Sequence, residues 1–397
     1  MNSNELLQLL SVSCASEATA IRTVVELQPV DGPGGKVLPP TYSDGAYAFE
    51  KRIIDGNRVD CVLLDAVQSQ SNRYEEVLLE AYRGGRLALP MFELDIAGHE
   101  ITTLTAPHRV HDAIFRDSLW DGKLFRESAN GQRLVSARAW NATPFFEFAP
   151  TVLLFGTWDS QSGGGVNTAK VARSLVSEII AIDAQRGVRT SSRIDPLGIK
   201  LVGGVVRTDG PELWRFNEPD AGAKKPRKGE AVRPSEINHG NVAPSITDPE
   251  TGPGGVTFVS AKQTTVLSFT QLRKLRFPDG VQSSVERDVA GRCVIAALGL
   301  VVVTLSIDEG YQLRSRCHLV PTKEPVFERL GRTATVSDED RFTLDSQTAL
   351  STFELAVKQA AAHGLKWRAG KIELTPRPDL VKLVEFSDKA VGSADEA

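Results

Sequence analysis

The chain has 397 residues, a formal net charge of −4, a pI near 6.0 and 41% hydrophobic residues, enough for two or three domains of about 150 residues or for one core with large insertions. That balance excludes a uniformly basic nucleic-acid binder. Positive charge is nevertheless gathered at Arg186, Arg189 and Arg193, at Lys224, Lys225, Arg227 and Lys228, at Arg273, Lys274 and Arg276, and at Arg314 and Arg316, and such stripes can hold a polyanion.

The four cysteines (14, 61, 293 and 317) form no framework and read as reduced cytosolic thiols. No signal peptide is expected. The longest apolar run, Cys293 to Leu305, has 13 residues against the roughly 20 needed to cross a membrane.

Residues 5 to 16 predict a short helix. Thr19 to Val30 predicts a strand ending in Asp31-Gly32-Pro33-Gly34-Gly35-Lys36, a loop without phosphate-loop spacing. Arg58 to Leu64 predicts a second strand, which leads into a helix over Asp65 to Tyr82. At about 100° per residue, Leu63, Val67, Tyr74, Val77, Leu78 and Ala81 share one side, and Gln68, Ser69, Asn72 and Arg73 the other. Asp65 and Gln68 read as a variant capping box that starts the helix near Ala66. Amides, hydroxyls and one arginine can donate to phosphates and sugars; the plain alternative is a solvated face.

A further strand is predicted at Arg86 to Ile96. Thr105 to Ser118 reads as a capped helix with an early proline. On it Arg109, Asp112 and Arg116 share a face, either as a surface Asp112–Arg116 pair or as two phosphate-contacting arginines. His108 and His111 are three apart without a nearby third ligand, so no metal is expected. Lys123 to Ser128 and Gln132 to Trp140 flank Asn130-Gly131, predicting a β-hairpin. It would project Phe125, Arg126, Arg133, Arg138 and Trp140 for stacking and charge, or be an ordinary edge hairpin.

Pro150 to Trp158 predicts a buried strand. Gly163-Gly164-Gly165 then opens a predicted helix carrying Val171, Leu175, Val176, Ile179 and Ile180, with Lys170 and Arg173 near its start. Free N–H groups there would attract an anion. Thr168 stands where a dinucleotide fingerprint needs glycine, which favours RNA or backbone phosphate.

Gly187 to Gly198 is a polar, basic entry to a strand at Ile199 to Val206. Residues 209 to 255 read as a flexible insertion, inside which Pro234 to Ser245 stands out for Asn238, His239 and Asn241. Gly255 to Phe269 is β-rich and Thr270 to Phe277 is a basic turn of helix. Arg287 to Leu305 predicts a buried helix, with a strand through Leu300 to Ile307 as the alternative, Gly310 to Val320 a strand, Ser346 to His363 a final helix, and Lys371 to Leu374 a short strand. Residues 385 to 397 read as a disordered tail.

Five motifs in order are Gln68-Ser69-Gln70-Ser71-Asn72-Arg73, Ala106-Pro107-His108-Arg109, Ser192-Arg193-Ile194-Asp195-Pro196-Leu197-Gly198, Ser235-Glu236-Ile237-Asn238-His239-Gly240-Asn241 and Leu313-Arg314-Ser315-Arg316-Cys317. From about residue 18 to 325 the chain resembles the CRISPR-associated RAMP backbone subunit of the type I-U (I-G) Cascade. Residues 209 to 233 and the acidic segment from Glu324 depart from that pattern. The resemblance implies an α+β fold: an RRM-like, ferredoxin-type palm assembled discontinuously over residues 1–397, with an antiparallel sheet and helices. Residues 97–149 would be a thumb or finger insertion, and residues 209–255 a flexible one.

The resemblance further implies a cytoplasmic subunit, without cofactor or membrane contact, that polymerises side by side along a CRISPR RNA and joins other Cascade subunits. A thumb kinks the guide, whose bases pair with the target DNA strand, and cleavage belongs to other subunits. On this reading Gln68, Ser69, Asn72 and Arg73 hold one guide segment with Lys170 and Arg173. His108, Arg109 and Arg116 lie beside a thumb bearing Arg126, Arg138 and Trp140. Asn238, His239 and Asn241 close over the guide, and Arg193 and Arg314 add contacts. Two rival functions are an RNA endonuclease using Asp112, Asp117 or Asp121 and a nucleotide-binding enzyme using Gly163 to Gly165.

Overall fold

Alternation of buried and exposed side chains builds the central sheet. In β1 (Ala20–Pro29), Ile21, Thr23, Val25 and Leu27 are buried while the residues between them are half-exposed. The same period governs β4 (Leu175–Arg186), where Leu175, Ser177, Ile179 and Ala181 point inward, and β5 (Val256–Ser268), where Ala261, Gln263, Thr265 and Leu267 do. The structure, a computed structural model, describes residues 1–16, 18–159, 170–199, 205–207, 214–216, 234–280 and 282–396.

With β2 (Phe49–Ile54), β3 (Asn57–Asp65), β6 (Tyr311–Arg314) and β7 (Cys317–Pro321), the strands run in the order β6-β7-β1-β5-β4-β3-β2. Every neighbouring pair is antiparallel. Phe327–Leu330 pairs with the first half of β1 on the edge where β7 pairs with its last residues.

Helices cover the inward face. α2 (Val67–Arg83) packs on β4 and on α3 (Val285–Glu309), which in turn packs on β5, α1 (Ser3–Ala15) and α4 (Ser346–Ala362). α3 is apolar all round and buried from Ala290 to Leu305, as a helix at the centre of a core must be. It is also long and apolar enough to cross a membrane, but 89% of its most apolar stretch is buried inside the protein. A second, small sheet joins Pro90–Ile96 antiparallel to His99–Thr102 and parallel to Gly370–Glu373. The fold is therefore mixed α+β, with an antiparallel main sheet and several helices.

Several predicted elements take another form. Residues 170 to 186 are strands, Lys170–Val171 and β4, because the two-residue period outweighs the helical one. Asn130-Gly131 lies inside a helix, Ala129–Ser136, whose cap Ser128 accepts a bond from the Gly131 amide at 3.0 Å; there is no hairpin at 123–140. Val152–Phe155 is a buried helical turn ended by Gly156 at φ +79°, and only Thr157–Trp158 is strand.

Residues 311 to 321 form a hairpin, β6-β7, turning at Ser315-Arg316 with Arg316 at φ +56°. β2, absent from the predicted elements, pairs with β3 through Asp55-Gly56, both at positive φ. After α4 the chain forms a further helix, α5 (Pro378–Glu396), where a disordered tail is predicted from 385. The Gly163 to Gly165 turn and the Lys224 to Lys228 cluster lie outside the described residues.

Candidate functional site

The polar motif that opens α2 divides into an inner and an outer half. Asp65 is the last residue of β3 and is completely buried. It caps nothing: the α2 N-cap is Ala66, and the Asp65 carboxylate accepts instead from side chains. Its donors are Ser69 Oγ (2.7 Å), Gln70 Nε2 (2.6 Å), Arg73 Nε (2.9 Å) and Arg314 Nη2 (3.2 Å). Arg73 also donates to the Leu313 carbonyl, and Arg314 to the Leu64 carbonyl at 2.8 Å. The first and fifth motifs thus meet on one buried anion. Ser69, Arg73 and Arg314, predicted to face RNA, fasten α2 to the β6-β7 turn.

Beneath them a second polar layer runs across the sheet. Gln70 Oε1 accepts from Ser177 Oγ (2.9 Å) and Gln263 Nε2 (2.8 Å), Gln263 Oε1 accepts from Tyr311 OH (2.8 Å), and Thr265 Oγ1 bonds both Ser177 and Tyr74. Gln70, Ser71 and Glu75 lie on the buried side of α2, so its inward stripe is more polar than the predicted one.

Gln68 and Asn72 do face outward, and they open onto a cleft of about 610 Å³ also lined by Pro107, Arg109, Arg173 and Glu76. Here the second motif meets the first. Arg109 lies against α2 and grips buried Glu75 through Nε (2.6 Å) and Nη2 (2.9 Å), while its Nη1 donates to the Gly156 carbonyl (3.3 Å). Burial pushes the Glu75 carboxyl up, and Arg109 pulls it back down.

On the other side of Gly156 lies Arg173: a Cβ on that glycine would touch Arg173 Cγ at 3.0 Å. Arg173 is half-buried, with no hydrogen bond or ion pair among the described residues. Burial lowers the pKa of its guanidinium, and nearby Arg109 lowers it further, against the pull of Glu75. A cation in that position gains from any anion that enters the cleft.

The third and fourth motifs make a separate unit. Thr190–Arg193 and Val242–Ile246 pair as a two-stranded ribbon. One end of the ribbon is fixed by Asp195, whose carboxylate accepts from the amides of Gly240 (2.8 Å), Leu197 (3.0 Å) and Ile199 (3.3 Å). Asn241 Oδ1 accepts from the Asp195 amide (2.7 Å), and Arg193 donates to the carbonyls of Gly240 (3.0 Å) and His239 (2.8 Å). Asn241 and Arg193 therefore hold the ribbon, and His239 packs edge-on against Trp214 at 5.6 Å. The exposed products of this scaffold are Ile194 (87%), Leu197 (75%) and Asn238.

The remaining predicted residues scatter. His108 is exposed and does not line the cleft. Arg116 is paired with Asp117 (2.6 Å), not with Asp112, which caps a short helix by accepting from the Ile114 amide. Arg126 pairs with Asp159 (2.7 Å), and Arg138 donates to the Val135 and Ala137 carbonyls. Phe125 is core, edge-on to Phe92 and stacked on Trp120, whereas Trp140 is 71% exposed. Lys170 lies over the exposed Trp158 ring at 5.7 Å. Of the candidate acids, Asp112 is buried in its capping role, Asp117 is held below the usual carboxylate range by Arg116, and Asp121 is exposed in a turn. Among the described residues no three metal-binding side chains converge.

His111 donates to or accepts from Thr157 Oγ1 at 2.7 Å, while its buried Nε2 has no partner among the described residues. Burial holds its pKa down to about 4; Arg126 and Arg138 act in the same direction and Asp159 opposes them. The unfolded chain therefore takes up the proton first. Stability is complete above about pH 6.5 and declines as pH falls towards about 4, by a few kcal/mol at most. Denaturant titrations across that window should show the decline, and His111→Gln should remove part of it. An unchanged pH slope in the variant would refute the assignment.

Residues 21–186 match the family model described as CRISPR-associated protein GSU0053. The match supports a CRISPR-associated protein. It runs from the second residue of β1 to the last of β4 and takes in Asp65, all of α2, Arg109 and Arg173, so the cleft lies inside the matched segment and the Asp195 ribbon outside it. Such a family suggests a role in CRISPR defence. No curated protein matches the chain.

Proposed function

We propose that this chain is a CRISPR RNA-binding backbone subunit of a type I-U (I-G) Cascade, a cytoplasmic protein that holds the guide and performs no chemistry on it. The observation that carries the reading is Arg173, a half-buried cation with no hydrogen bond or ion pair among the described residues, set in a cleft beside the exposed amides of Gln68 and Asn72. Backbone phosphates and 2′-hydroxyls of the guide fill that cleft, leaving its bases free to pair with target DNA.

Three further features support it. Counting β1, β4, β5 and β7 alone, the sheet order β7-β1-β5-β4 with α2 after β1 and α3 after β5 is the split βαβ order of an RRM-like palm. The ribbon unit with exposed Ile194 and Leu197 supplies the thumb, these two apolar side chains acting as a wedge between bases. Trp140 and Trp158 offer exposed rings for stacking, worth about 1–3 kcal/mol per base.

The test is co-expression with a CRISPR array, followed by measurement of RNA retained against salt. Gln68→Ala/Asn72→Ala/Arg173→Ala should retain about tenfold less RNA, since a hydrogen bond to a charged group contributes roughly 1.5–3 kcal/mol. Loss of the Arg173 contact alone should lower the single-strand salt slope by about 0.7. Wild-type RNA content and slope in the triple variant would refute the reading, and guide shortening by the purified protein would refute its non-catalytic part.

A further inference from the structure

Two surfaces unused by the cleft complement one another. α5 packs half-buried Leu380, Val381 and Val384 against the core. Leu383 and Phe386, on a neighbouring face, stand 64% and 73% exposed. Asp379 completes their i, i+4, i+7 row and is itself exposed, held among the described residues by pairs of 3.5 Å to Arg377 and 3.8 Å to Lys382.

Elsewhere, the segment after α2 (residues 86–88), α4 and Trp367 enclose an apolar groove of about 290 Å³, lined by Leu87, Leu350, Phe353, Val357 and Trp367. Its floor is preformed. Trp367 Nε1–H donates to the Ala88 carbonyl at 2.9 Å, and the indole sits edge-on to Phe146 and Phe353. On the rim stand Arg86, Lys358 and Glu354, none ion-paired among the described residues.

We propose that Leu383 and Phe386 of one copy seat in this groove on a second copy. The charges fit in sign: Asp379 meets Arg86 and Lys358, and Lys382 meets Glu354. The apolar parts fit in chemistry, an aromatic and a branched side chain entering an aromatic-floored slot with a polar rim, the arrangement of an interface anchor. Patch and groove are different surfaces, so the contact is heterologous and leaves each end of a dimer open for another copy. This deepens the backbone reading on which it rests, since subunits lined up on one guide need a contact that repeats.

Sedimentation velocity of the full chain, with and without co-expressed guide, tests it. Wild type should form species larger than the monomer, and Phe386→Glu should weaken self-association on the order of thirty-fold, the scale of losing a central aromatic anchor. Far-UV circular dichroism should be unchanged, because the side chain is exposed. Lys358→Glu and Asp379→Lys should each weaken association, and the two together in one chain should restore it.

The inference is overturned if Phe386→Glu sediments as wild type, as it would were the groove filled by another segment of the same chain or by a different subunit. It is overturned equally if the charge swap gives no rescue, or if wild type stays monomeric in both states. RNA content is read separately. Wild-type chain that self-associates but retains no guide on co-expression with a CRISPR array refutes the RNA-binding reading alone, and wild-type chain that binds guide as monomers refutes this interface alone.

Discussion

Asp65→Ala should lower the unfolding free energy by about 3 kcal/mol, the lower end of the range for removing one partner of a buried ion pair. Asp65 is fully buried and takes two arginines and two neutral donors. Truncation leaves Arg73 and Arg314 beside each other without an anion, and Gln70 with an unmet donor. The arginines are 28% and 26% exposed, so partial hydration softens the loss. Asp65→Asn, which keeps an acceptor but not the charge, should fall between wild type and alanine. Urea denaturation of the three proteins measures the series; a loss below about 1 kcal/mol for alanine would show that the arginines escape to water.

Gly131→Ala should destabilise by about 3 kcal/mol, although alanine is the better helix former by about 1 kcal/mol. A Cβ at position 131 would lie 1.6 Å from the Phe125 carbonyl oxygen and 2.8 Å from Ser128 Oγ. Neither is a flexible side-chain end that could swing aside, so the helix Ala129–Ser136 would have to move off its own cap. Phe125 is 3% exposed and locked among Phe92 and Trp120, which prevents the neighbouring chain from giving way. Thermal unfolding decides the sign, and a more stable variant would contradict the close approach.

That glycine also explains a misreading. Asn-Gly between alternating residues is a hairpin signal because glycine tolerates positive φ. Here the same glycine serves a helix packed too closely for any side chain, a requirement visible only once Phe125 is placed. The Asp55-Gly56 turn between β2 and β3 is the converse: an equally short signal whose flanking residues, Lys51 to Ile54, are half charged and on an edge, so their alternation is weak. Long elements were legible where one period dominated, as in β1, β5 and α2, or where an apolar run was too long for a strand, as in α3. β4 was not, because Ile180 on its outer face is 9% exposed and blurs the alternation.

The site was legible as a set of motifs and illegible as a set of contacts. Gln68, Asn72 and Arg173 line the cleft, but nothing in sequence separates Arg73 from Arg173: one is consumed by Asp65 and the other has no ion pair among the described residues. The deciding partners, Asp65 to Arg314 and Glu75 to Arg109, lie 249 and 34 residues apart in the chain.

The polar layer under α2 has a consequence for how the chain finds its fold. Gln70, Ser177, Gln263, Thr265 and Tyr311 come from four different elements, and each group's partner is another member of the set. An all-apolar core of the same shape would tolerate β4 or β5 sliding by two residues, which keeps every side chain on its own face. Here such a slide would carry an amide or hydroxyl away from its partner and seal it in dry surroundings, at about 1–3 kcal/mol for each group. The layer therefore acts as a key that admits one alignment of sheet and helix, and the cleft above it inherits that alignment.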